Sequence, residues 1–234
     1  MTLSKPHTAP CARGPWTPER VRASMLLYAV TDRAWLGGRS LASCVGEALA
    51  GGATFVQLRE KDAPREEVLA LARELVALCR EAGVPFVIND DVFAALEVAA
   101  DGVHVGQSDT ACREARRLLG SDALIGVSVH SVAEARRAEA DGADYVGVGA
   151  LFGTATKADA DIVSRDELAA IVRAVSIPVV GIGGLNLETL DVLRGTGAHG
   201  AAVVSALFAA QDIEAAARAL RAALEVAVGK GEPS

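Results

Sequence analysis

From residue 26 onward the chain alternates short apolar runs rich in Val and Ile with longer stretches whose apolar residues recur every three or four positions. The short runs read as strands buried on both faces, the longer stretches as amphipathic helices. Such alternation predicts a parallel sheet joined by crossover helices. Strands are expected at 26–31, 55–58, 86–89, 103–105, 125–129, 145–148, 179–182 and 201–204. The most regular helical stretch covers 65–82, with Val68, Leu71, Ala72, Leu75 and Leu78 assigned to one face. Gly83 ends it, and Pro85 prevents its resumption. Ser164 and Glu167 have the spacing of a capping box that opens a helix reaching Val175. Gly142 and Gly197 are read as the stops of two further helices.

Eight strand–helix units in 234 residues fit one α/β domain, a single (β/α)8 TIM barrel, better than an open sheet. Closure leaves no strand edge, and no GxGxxG follows the first strand. The barrel is expected over 25–228, between an N-terminal arm (1–24) expected to be disordered and a flexible tail (229–234). Pro6, Pro10, Pro15 and Pro18 interrupt every apolar run of the arm, which therefore lacks a signal-peptide core. Met25, directly before the first strand, is an alternative start.

Composition narrows the function classes. Hydrophobic residues make up 51% of the chain but aromatics only 4%, which suits packed helices and buried strands. A net charge of −7 argues against nucleic acid or anionic membranes as partners. No run approaches the roughly 20 apolar residues of a membrane span. Cys11, Cys44, Cys79 and Cys112 are scattered without metal-ligand spacing, as expected of free thiols in the cytoplasm. A homo-oligomer is compatible with this composition.

In a (β/α)8 barrel the chemistry lies at the C-terminal ends of the strands. After the second strand the pleat puts Gln57, Arg59 and Lys61 on one side. The third strand ends in Asn89-Asp90-Asp91 and the fourth runs into Asp109. Asp90 and Asp109 suit a shared Mg2+ with water and phosphate completing its shell, although either is also a natural helix N-cap. After the sixth strand Thr154, Thr156 and Lys157 combine two hydroxyls with a cation. The seventh ends in Gly183-Gly184 and the eighth in Val204-Ser205, where barrels of this kind bind phosphate. The residues by themselves describe a Mg2+-assisted enzyme with a diphosphate pocket and a separate monophosphate pocket. His130, ending the fifth strand, is read as a supporting residue; His104 is read as structural, and His7 and His199 carry no signal.

These segments together resemble the thiamine-phosphate synthase family. The likeness runs from Tyr28-Ala29-Val30-Thr31-Asp32 to Val204-Ser205 and rests on VQLREK at 56–61, INDD at 88–91, DGVHVGQSD at 101–109, ADYVGVG at 143–149, TATK at 154–157 and GIGG at 181–184. It implies an enzyme that condenses hydroxymethylpyrimidine diphosphate with hydroxyethylthiazole phosphate, giving thiamine phosphate and pyrophosphate through a dissociative, Mg2+-assisted substitution. It further implies Gln57 and Ser128 at the pyrimidine, with Arg59, Lys61, Asn89 and Lys157 around the diphosphate. Asp90 and Asp109 would hold the metal, and Thr154, Thr156, Gly184, Val204 and Ser205 the thiazole phosphate. Arg59, Lys61, Lys157 and Ser128 are the expected catalytic residues. Ala150, Gly153, Ala155, Val163-Ser164 and Thr110-Ala111 depart from the family's usual pattern, a difference expected to bear on loop closure. The alternatives are a thiazole phosphate tautomerase using His130 and a non-catalytic barrel that binds a phosphorylated ligand.

Overall fold

The computed structural model describes residues 16–61, 63–106, 112–153 and 162–229. Eight strands, β1 (Leu27–Val30), β2 (Phe55–Leu58), β3 (Phe86–Asn89), β4 (Gly102–Val105), β5 (Leu124–Val129), β6 (Tyr145–Val148), β7 (Val179–Ile182) and β8 (Ala201–Val203), pair in parallel and in chain order. β8 returns to β1, through Leu27 opposite Ala201, and closes the barrel. The expected strands thus form, with ends displaced by at most a residue or two.

Alternation along each strand divides the core into two layers. Tyr28, Val30, Phe55, Val87, Leu124, Tyr145, Val180 and Ala202 pack inside the barrel. Ala29, Val56, Leu58, Ile88, Val103, Val127 and Val146 face the helices. The helices α2 (Leu41–Ala50), α3 (Arg65–Ala82), α4 (Val92–Val98), α5 (Cys112–Leu119), α6 (Val132–Ala140), α7 (Arg165–Ala174), α8 (Ser205–Phe208) and α9 (Ile213–Val228) surround the strands.

Helix α3 has the predicted bounds, and Gly83 at φ 73° ends it in the left-handed region that glycine tolerates. Its buried stripe is rotated from the expected one: Leu69, Ala72, Leu75, Val76 and Cys79 are buried, while Val68, Leu71 and Leu78 lie at the margin. The capping box at α7 is half formed. Ser164 Oγ accepts the Glu167 N–H at 3.1 Å, but Glu167 turns its carboxylate to the Val132 N–H of α6 at 3.0 Å. No α-helix precedes Gly197; the β7–β8 connection has only a 3-10 turn at Leu190–Leu193.

Residues 16–24, expected within a disordered arm, are ordered. Thr17 caps α1 (Pro18–Ser24), and Pro18 starts it. Val21 and Met25 are fully buried against the inner core, with Trp16 packed beside them. α1 therefore covers the end of the barrel at which the strands begin. The Arg22 side chain fixes it there by donating to Ser176 O, just before β7.

The same end carries a repeated device. An N–H at the start of each odd-numbered strand, the first in β1, β3 and β7 and the second in β5, is accepted by a side chain just before the next strand: Leu27 by Thr54, Phe86 by Asp101, Ile125 by Asp144 and Val179 by His199. These polar residues complete the backbone hydrogen bonding of the barrel floor. They account for His199, whose ring burial lowers its pKa.

Candidate active site

At the opposite end, one cavity of about 330 Å3 is lined by Gln57, Arg59, Lys61, Asn89, Asp90, Ser128, Gly184, Val204 and Ser205. Every predicted site residue that the structure describes meets there. Asp109, the second expected metal ligand, and Thr154, Thr156 and Lys157 of the TATK segment lie outside the described residues.

The pleat of β2 continues beyond the strand. Gln57, Arg59 and Lys61 line the cavity, whereas the Glu60 carboxylate turns away to meet Arg33 at 2.6 Å. The Arg59 guanidinium lies 3.4 Å from Asp32, and the Arg59 N–H donates to the buried Thr31 hydroxyl at 3.0 Å. Asp32 also accepts the Ala34 N–H at 3.0 Å. Its carboxylate is therefore fixed to the backbone and sets the direction of Arg59, a role the sequence reading did not assign.

The two aspartates after β3 divide the work that the sequence left open. Asp91 caps α4 by accepting the Ala94 N–H at 2.7 Å, and it pairs with Arg65 at 2.8 Å. Asp90 adopts φ 64°, an uncommon conformation for a residue with a side chain, and lines the cavity. Its N–H donates to His104 O at 2.9 Å, which ties the turn to β4. Asp90 is the only carboxylate on the cavity wall among the described residues.

Below the cavity the inward side chains form a continuous hydrogen-bonded chain. Asn89 donates to Asp90 and accepts from Gln57 Nε2 at 2.9 Å. Gln57 Oε1 accepts from Tyr28 at 3.2 Å, and the Tyr28 and Tyr145 hydroxyls are 2.9 Å apart. Tyr145 lies 3.1 Å from His104 Nδ1, and His104 Nε2 lies 2.9 Å from Ser128 Oγ. Burial drives both phenol pKa values upward and lowers that of His104 to about 4. Gly126 makes the crossing possible, because a Cβ there would stand 2.1 Å from the Tyr145 ring and 2.5 Å from His104 Nδ1.

Sequence reasoning passed over Tyr28 and Tyr145 and took His104 for structure alone. The available signal was the pleat phase, which points all three inward. His130 also borders the cavity; its ring and its backbone N–H both meet the Glu134 carboxylate, at 3.2 and 2.7 Å. On the phosphate-expected side, Gly183 and Gly184 have φ of 94° and 65°, and a Cβ at Gly184 would lie 2.6 Å from Phe152. The glycines thus allow the β6 and β7 loops to touch.

The sequence model of the thiamine monophosphate synthase family matches residues 27–207, which include all eight strands. The chain belongs to that family. A thiamine-phosphate synthase from Chloroflexus aurantiacus is 52% identical over 202 residues, 86% of this chain and 93% of the relative. One from a Roseiflexus species is 47% identical over 204 residues, covering 87% of this chain and 86% of that one. Among solved structures, a thiamine phosphate pyrophosphorylase from Pyrococcus furiosus superposes with a TM-score of 0.82 at 39% identity, over 89% of this chain and 99% of its own. Membership in the thiamine monophosphate synthase family makes the chain a transferase of thiamine biosynthesis acting on small molecules. Among the described residues no helix is long and apolar enough to cross a membrane.

Proposed function

We propose that the cavity binds hydroxymethylpyrimidine diphosphate and hydroxyethylthiazole phosphate together and joins them with loss of pyrophosphate. The observation that carries this reading is the gathering of Arg59, Lys61, Asn89 and Asp90 on one wall and Gly184, Val204 and Ser205 on another wall of the same space. Two cations and an amide suit a diphosphate; the backbone after the seventh strand, with Gly183 and Gly184, and after the eighth suits a monophosphate.

In the proposed reaction the carbon–oxygen bond to the diphosphate breaks first, leaving a pyrimidine-methyl cation. The thiazole nitrogen then forms the new bond with its lone pair, so no general base is needed. Arg59, Lys61 and Lys157 stabilise the charge that grows on the leaving diphosphate, and Asn89 orients it. Gln57 and Ser128 hold the pyrimidine. Thr154, Thr156, Gly184, Val204 and Ser205 hold the thiazole phosphate, so that the nitrogen and the carbon meet without competing water.

The donor chemistry fits Mg2+: Asp90 offers hard oxygen on the cavity wall and is relieved of helix capping by Asp91. Asp90 and Asp109 would hold the ion, which supplies charge neutralisation for the leaving group. The buried thiols of Cys44, Cys79 and Cys112 support a cytoplasmic setting.

The test is pyrophosphate release with both substrates, with each alone, and with EDTA. Release that needs both substrates and metal is the expected result. Thiazole isomerisation without pyrophosphate release would refute the synthase reading and move attention to proton transfer at His130.

A further inference from the structure

We propose that the chain of hydrogen bonds crossing the barrel interior has a single direction, which points the Ser128 hydroxyl hydrogen at His104 Nε2 and makes Ser128 Oγ an acceptor toward any bound ligand. Tyr28, Tyr145 and His104 are then positioning residues that determine specificity, and the cavity selects a ring carrying an N–H donor at this point.

The direction follows from counting protons. A carboxylate accepts, so Asn89 turns its Nδ2 to Asp90 and its Oδ1 to Gln57. The reverse setting would press an amide oxygen against the carboxylate. Gln57 therefore gives an Nε2–H to Asn89, which directs its Oε1 toward Tyr28. Tyr28 has one proton and donates it to Gln57, so in the contact with Tyr145 it accepts. Tyr145 has then used its own proton and must accept from His104, which places the imidazole hydrogen on Nδ1. The His104 ring is buried between two neutral hydroxyls, with no side-chain carboxylate among its hydrogen-bond partners in the described residues, so as a neutral ring it carries a lone pair on Nε2 and receives the Ser128 Oγ–H. Every further hydrogen bond at Ser128 Oγ is one that it accepts.

The packing enforces this arrangement. Tyr28 and Tyr145 are fully buried and His104 nearly so, and Gly126 leaves the space in which the Tyr145–His104 contact forms. A hydroxyl fixed as an acceptor fits the exocyclic amino group of an aminopyrimidine and is mismatched to an oxo group in its place. This specificity claim rests on the proposed synthase reading; the tautomer assigned to His104 does not.

The experiment has two parts on the full chain. Long-range proton–nitrogen correlation of histidine-labelled protein at neutral pH reads the tautomer, with His104→Gln identifying the signals. Protonated Nδ1 and unprotonated Nε2 are expected; the opposite tautomer or an imidazolium overturns the proposal. Calorimetry with Mg2+ then compares the aminopyrimidine diphosphate with its 4-oxo counterpart. The wild-type chain is expected to prefer the amino compound by roughly tenfold to a hundredfold, the scale of one buried hydrogen bond and its mismatch. Tyr145→Phe frees His104 to take the other tautomer and should reduce the preference to a few-fold. Ser128→Ala, which leaves the interior packing intact, should do the same and serves if Tyr145→Phe does not fold. The expected tautomer with an undiminished preference in Ser128→Ala overturns the specificity claim. A wild-type chain that binds neither pyrimidine also overturns it, together with the synthase reading, while the tautomer still decides the direction of the chain.

Discussion

The Asp32 carboxylate stands 3.4 Å from the Arg59 guanidinium and is itself held by the Ala34 N–H. The pair is mostly shielded from solvent, with 16% of the Arg59 side chain and 18% of Asp32 exposed. Arg59 thus has a defined direction before any ligand arrives, which lowers the ordering cost of binding. Asp32→Ala is expected to raise KM for the diphosphate substrate about tenfold and to lower stability by only about 1 kcal/mol, the scale of one lost cap. An unchanged KM in steady-state kinetics would show that Arg59 needs no such tether.

Asp90→Asn tests the carboxylate without disturbing the turn, since Asn tolerates the left-handed backbone that Asp90 adopts at φ 64°. Turnover should fall on the order of a hundredfold or more, as for removal of a group that stabilises the transition state. Thiazole phosphate affinity should stay near the wild-type value. Near-normal turnover would remove Asp90 from the metal assignment.

The ordered helix α1 changes what truncation should do. A chain beginning at residue 25 loses Val21 and uncovers the inner core, which should cost about 2–4 kcal/mol relative to one beginning at residue 16. Urea unfolding of the two chains measures this difference. Equal midpoints would mean that α1 rests on the barrel without stabilising it.

His104 gives the fold a defined acid sensitivity. Its pKa is lowered from 6.5 to about 4 in the folded chain, so between these values the unfolded chain binds more protons. Its contribution is complete above about pH 6.5 and declines as the pH falls toward 4, by up to about 3 kcal/mol. His104→Gln, though less stable at pH 7, should lose less stability than the wild-type chain over that window. Parallel losses in urea titrations would assign the acid sensitivity to other groups.

The strands were legible because their cause is local. Runs such as Phe86–Asn89 and Val179–Ile182 are rich in β-branched or aromatic residues and are bounded by Pro85 and Pro178 on one side and by polar or glycine residues on the other. The cavity wall was legible for a related reason, since fold geometry sends residues at strand ends to one mouth. Whether Asp90 faces the cavity or caps the following helix was left open by the residues alone, because Asp90 and Asp91 have the same capping chemistry and only backbone direction separates them. The Tyr145–His104 contact depends on β4 and β6 reaching across the space left by Gly126 on β5, a relation among three strands. Residues 16–24 were misjudged because four prolines suggested disorder, yet Pro18 sits at a helix start, where its missing N–H is harmless.

With Tyr28, Phe55 and Tyr145 packed across its interior and α1 seated beneath them, the barrel is a cup and not a tube. In the proposed synthase reaction two reactants and two products share a single doorway. The partner that settles deepest has to arrive first, and the product formed from it can leave only after whatever lies above it has gone. Sequence of traffic is therefore a property of the floor as much as of the mouth.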